Sequence, residues 1–173
     1  MAALRQDDCP AARAVEFLIL TATRTADVRY ARWGEINLTK RLWTIPKERL
    51  KTGHHDDRED HEVPLSAPAM AILLAIKGDR TPDPDAYVFL GRHGRVLHER
   101  AMITRTHYSN PNIADHGFRS TFRDWCGDET KHERETAELA LSDKIGGVEG
   151  SYRRQTTLAK HRLLIPNTAS RAR

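Results

Sequence analysis

The stretch that most constrains this chain is AARAVEFLILTA, Ala11 to Ala22. It is apolar on nearly every side, and a helix of that kind must be covered by other elements all round. A fold with one buried central helix needs several partners packed on it. The chain, at 173 residues, is long enough to supply them within a single domain. The apolar run from Val15 to Ala22 is too short to span a bilayer, and no run of about 18 apolar residues occurs. The opening residues lack the basic–apolar–small-residue pattern of a signal peptide, so none is expected there. Cys9 and Cys126 have neither metal-ligand spacing nor a disulfide framework, which points to a reducing, cytoplasmic setting.

Around this helix the pattern reads as mainly helical with a small sheet. Thr25 is the expected N-cap of a short second helix that carries Asp27 in its first turn and reaches Trp33. Asn37 and Thr39 mark a turn. RLWTIP (Arg41 to Pro46) and HEVPLS (His61 to Ser66) read as two strands bracketing a long polar connection. Ser66 should cap a helix with Pro68 in its first turn, MAILLAI as its apolar face and Gly78 at its end. TPDPD is a loop and AYVFL a short strand. Helices are expected near Glu99 to His107, from Gly117 to Asp128, from Glu133 to Leu141 and from Glu149 to Leu164. The last two are separated by Gly146 and Gly147, and residues 163–173 read as an irregular tail. The class is α+β, with a small antiparallel sheet.

Charge narrows the partners. The formal net charge is +4, and Ser151 to Arg173 holds Arg153, Arg154, Lys160, Arg162, Arg171 and Arg173 with no acidic residue. A basic end of this kind suits a polyanion, although a solvated tail has the same composition. In DHGFRSTFRDW, His116 and Arg119 stand three residues apart, close enough to one helical turn to reach one small target. Arg24 follows the buried helix and directly precedes a helix start. There a guanidinium could grip a phosphate with its fixed fork of donors, or pair with a carboxylate such as Asp27. The residues alone leave both readings open.

Taken in order, LTATRTADVRYARWGEINL, LWTIPKERLKTG with HEVPLS, HGFRSTFRDW, and ELALSDKIGG leading to GSYRRQ resemble the catalytic domain of tyrosine recombinases. The likeness is greatest to integrases of prophages and genomic islands, and it runs from about Ala11 to about Arg162. It implies that a tyrosine, here Tyr152, attacks a phosphodiester of double-stranded DNA and forms a 3′-phosphotyrosyl link. Neither metal nor cofactor is then needed, because the covalent link keeps the bond energy. The resemblance makes Arg24 and Arg119 the holders of the non-bridging oxygens and His116 their hydrogen-bonding companion. Lys51 becomes the general acid, with Lys47 a less suitable substitute closer to the strand. Asp27 becomes the acidic residue that orients the first arginine. Arg153, Arg154, Lys160 and Arg162 are the expected DNA-binding residues near the nucleophile.

Three departures from the family pattern stand out. Asp143 occupies a place where the family usually has histidine. Two like charges about 4 Å apart at an effective dielectric near 20 repel by roughly 4 kcal/mol, so a carboxylate facing the phosphate should impair cleavage. The connection GHHDDREDHE carries five carboxylates, and His54 and His55 raise the alternative of a metal-responsive regulator. The chain also opens where the catalytic domain opens, so the upstream DNA-binding modules of integrases are expected to be absent. A truncated, impaired remnant that keeps the fold is therefore the runner-up to a working recombinase. A type IB topoisomerase, which shares related chemistry, fits the quoted stretches less well. The isolated chain is expected to be a monomer without membrane contact, and a full-length protein would form a tetramer on DNA.

Overall fold

The computed structural model describes residues 2–50, 59–109, 117–129 and 141. The order of elements is α1 (Ala2–Arg5), α2 (Pro10–Thr21), α3 (Thr25–Arg29), β1 (Ile36–Asn37), β2 (Leu42–Ile45), β3 (His61–Pro64), α4 (Ala67–Lys77), α5 (Glu99–Ser109) and α6 (Gly117–Glu129). The class is α+β, as the pattern implies. The three strands form one antiparallel sheet in sequence order, with Trp43 opposite both Ile36 and Val63.

Helix α2 is the central element. Ala12, Ala14, Val15, Phe17, Leu18 and Leu20 are all buried, and α1, α3, α4 and α5 pack around it. Phe17 sits between Trp43 of the sheet and Phe89, with ring centroids 5.5 and 5.3 Å away. One aromatic thus joins helix, sheet and the 86–90 segment. Glu16 is buried on the same helix and is held by Arg5 at 3.1 Å and Arg13 at 2.8 Å. That pairing explains how a carboxylate is tolerated in an otherwise apolar helix.

Local signals behave as their chemistry requires in several places. The Ser66 hydroxyl accepts from the Ala69 N–H at 3.4 Å, and Pro68 lies in the first turn of α4. Gly78, at φ 55°, ends that helix in a conformation that favours glycine. Asn37 accepts from the Lys40 N–H at 2.8 Å and closes the β1–β2 turn. Helices α5 and α6 fall within two residues of their expected bounds.

Three expectations are corrected. The N-cap of α3 is Arg24, not Thr25, and the helix ends at Arg29. Trp33 belongs to a separate 3₁₀ turn, Trp33–Glu35. The AYVFL segment is no strand; it makes only isolated bridges, Arg32 to Tyr87 and Leu90 to Val96. Its apolar run reflects burial of Val88 and Phe89 against the core rather than pairing in a sheet. Strand β1 and helix α1 were not foreseen. The helices expected at Glu133 to Leu141 and Glu149 to Leu164 lie outside the described residues, apart from the buried Leu141.

Candidate anion-binding site

The candidate site is built where α2 hands over to α3. Thr21 ends α2 by turning its hydroxyl back to the Phe17 carbonyl at 2.8 Å, and it meets the Thr23 hydroxyl at 2.9 Å. Ala22 then takes the left-handed conformation, φ 51° and ψ 23°. A residue with a Cβ pays about 1–2 kcal/mol for that geometry, so the surrounding contacts must hold it. Arg24 follows in extended conformation as the N-cap. An arginine side chain has no acceptor to offer the helix, and the cap works in the opposite sense. The Asp27 carboxylate reaches back and accepts from the Arg24 N–H at 3.2 Å.

Helix α6 supplies the second arginine. Arg119, Phe122 and Cys126 share one helical stripe, and Phe122 and Cys126 pack with Ala22 and Leu141 in an apolar cluster. That packing seats the Arg119 guanidinium against the junction. It donates to the Ala22 carbonyl at 3.1 Å and to the Leu141 carbonyl at 2.7 Å. Two backbone carbonyls thus hold the guanidinium in place. The same bond to Ala22 helps to keep the left-handed turn that presents Arg24.

Asp27 is buried, and burial pushes its carboxyl above the usual carboxylate range; the charges of Arg24, Arg49 and Arg119 pull it back down. The folded chain therefore binds the Asp27 proton more readily than the unfolded chain does. Its contribution to stability is present in full below the unfolded value near 3.8 and is lost as pH rises through the folded value. Against an Asp27→Asn variant, the wild-type unfolding free energy is expected to decline as pH rises from about 4 toward neutrality. Denaturant unfolding across that range checks the sign. A difference that grows with pH would mean the three arginine charges outweigh desolvation.

Sequence reasoning missed Arg49 and Glu35. Arg49 donates to the Tyr30 carbonyl at the end of α3 and to Glu35 at 2.6 Å. Glu35 also accepts from the indole N–H of Trp43 at 3.0 Å. This chain of contacts ties the sheet to α3 and brings a third guanidinium to bear on Asp27. The available clue was Trp43, whose buried indole N–H requires an acceptor nearby.

Of the residues singled out from sequence, Arg24, Asp27 and Arg119 come together. Asp27 accepts from the Arg24 backbone N–H, and the Arg24 charge also acts on its carboxyl. Lys51, His116, Asp143, Tyr152, Arg153, Arg154, Lys160 and Arg162 lie outside the described residues, as do His54 and His55. Among the described residues, no three His, Cys, Asp or Glu side chains gather where they could hold a metal. No helix among them is long and apolar enough to cross a membrane.

The α+β fold thus brings two arginines and a buried carboxylate together at one helix junction. The profile of the phage integrase family matches residues 1–126, and the chain belongs to that family. It is 32% identical to prophage integrase IntZ of Escherichia coli (strain K12), over 90% of this chain and 38% of that protein. It is 31% identical to the integrase of Enterobacteria phage P4, over 75% of this chain and 32% of that one. Over 62% of this chain and 30% of the relative, it is 32% identical to putative protein IntB of E. coli (strain K12). The chain thus spans less than two fifths of the length of these relatives. No solved structure matches.

Proposed function

We propose that this chain carries the strand-cleaving and rejoining domain of a site-specific tyrosine recombinase, with double-stranded DNA as its substrate. The observation that carries the reading is the meeting of Arg24, Asp27 and Arg119 at one junction, where Asp27 accepts from the Arg24 N–H at 3.2 Å and Arg119 donates to the Ala22 carbonyl at 3.1 Å. Preorganised guanidiniums act where charge concentrates in a pentavalent phosphorus transition state. Family membership and the integrase names of the relatives supply the class of anion.

In this reading the Tyr152 hydroxyl attacks the phosphorus, the bond to the 5′-oxygen breaks, and a 3′-phosphotyrosyl link forms. Arg24 and Arg119 hold the non-bridging oxygens. His116 hydrogen-bonds the phosphate or accepts the tyrosine proton, and Lys51 protonates the departing 5′-oxygen. Rejoining reverses each step. Arg153, Arg154, Lys160 and Arg162 bind the backbone near the nucleophile. A full-length protein would act as a tetramer on paired sites.

One residue favours a second reading. Asp143 puts a carboxylate where the family usually has histidine, which suits an impaired remnant that binds DNA and turns over poorly. Incubation with nicked duplex, followed by denaturation, separates the two. Nicks let the freed 5′ end diffuse away, so the covalent intermediate accumulates. A working recombinase gives an adduct that Tyr152→Phe abolishes. An adduct formed only by the Asp143→His variant identifies a site disabled by one substitution. Absence of any adduct from both folded proteins counts against cleavage by this chain.

A further inference from the structure

A second cationic feature stands apart from the arginine cluster. Between Leu90 and Val96, which form an isolated antiparallel bridge, the chain makes a tight arch. The Gly91 N–H donates to the Arg95 carbonyl at 2.8 Å, and a Cβ on Gly91 would meet the Val96 carbonyl oxygen at 3.0 Å. His93 and Gly94 turn the crest through positive φ, 57° and 70°. The turn leaves Arg92, His93 and Arg95 exposed. The Arg92 and Arg95 guanidiniums make no hydrogen bond or ion pair among the described residues. Glu99, the one carboxylate from Gly91 to Arg100, is paired with Arg29 at 3.5 Å.

The arch is fastened to the candidate site. Arg29, the last residue of α3, donates through Nε to the Leu97 carbonyl at 2.9 Å, and Leu97 is buried. Arg24 is the N-cap at the opposite end of that helix, which rises only about 7.5 Å over its length. Duplex DNA carries about one charge per 1.7 Å of its axis, so a duplex with one phosphate at Arg24 has others within reach of such an arch. A rigid loop with outward cations also loses little conformational entropy on binding.

We propose that Arg92 and Arg95 form a second phosphate-contacting site, which grips the DNA backbone at a distance from the scissile position and carries no base readout. The inference rests on the DNA reading above. Its role is affinity and register rather than chemistry.

The test compares the chain with the R92A/R95A variant on a fluorescein-labelled duplex, by anisotropy over a series of salt concentrations. A charge-matched control removes Lys40 and Arg41, exposed cations at the β1–β2 turn. That turn lies at the opposite end of β2 from the segment that carries Arg49. Loss of two phosphate contacts is expected to reduce the slope of log K against log salt by about 1.8, equally on unrelated sequences. K40A/R41A should keep the wild-type slope. A wild-type slope in R92A/R95A, or an equal loss in the control, overturns the arch as a site and leaves the DNA reading standing. No measurable DNA binding by the wild-type chain sinks the DNA reading itself, and the arch with it.

Discussion

An Arg119→Ala chain is expected to form the covalent DNA adduct about 10²–10³-fold more slowly than the wild type, the loss typical of removing one preorganised donor from a developing anion. The same change removes bonds to the Ala22 and Leu141 carbonyls, so stability should fall as well, by about 2 kcal/mol. Arg119→Lys separates the two effects. It keeps the charge, but a single ammonium cannot reproduce a planar fork that spans two carbonyls. DNA affinity should therefore survive in the lysine variant while adduct formation stays slow. Single-turnover adduct kinetics beside anisotropy titrations measure both. A lysine variant that cleaves at the wild-type rate would mean that charge alone suffices and the fork geometry is irrelevant.

Phe17→Ala should have the largest effect on stability, about 3–5 kcal/mol, because no neighbour can close the space left between Trp43 and Phe89. The thermal midpoint is expected to fall by roughly 10 °C. Leu74→Ala is the contrast. Leu74 is 51% exposed, and its truncation should change stability by no more than about 0.5 kcal/mol. Calorimetry of the three proteins decides the matter. Similar midpoints for Phe17→Ala and the wild type would contradict the central placement of α2.

The fold was legible wherever a local chemical rule acts alone. Ser66 and Gly78 bound α4 because a hydroxyl cap and a positive-φ glycine need nothing from the rest of the chain. The β2–β3 pair follows from two apolar runs flanking a polar connection. The misplaced features depend on distant partners. AYVFL has the composition of a strand, but its residues meet only single bridges from Arg32 and Val96. Strand β1 is two residues long, and it exists because Trp43 and Leu42 pair with it.

The site was legible in part for the same reason. Arg24 and Asp27 are three residues apart, and their association is local. Arg119 reaches Ala22 from 97 residues away, and only the likeness to recombinases joined the two. Arg49 and Glu35 belong to no motif. Their contribution comes from contacts among Tyr30, Trp43 and α3 that depend on the folded sheet. The cap was misassigned because a threonine beside a helix start is the ordinary signal, whereas here a carboxylate one turn inside reaches back to the backbone of an arginine.

The central claim is that the arginine cluster holds a scissile phosphate for attack by Tyr152. The most direct measurement is to trap the adduct on nicked duplex, digest protein and DNA, and map the nucleotide-bearing peptide by mass spectrometry. The account predicts a 3′-phosphonucleotide on Tyr152, with its yield abolished by Arg24→Ala. A nucleotide on any other residue, or DNA bound tightly with every tyrosine unmodified, would contradict it.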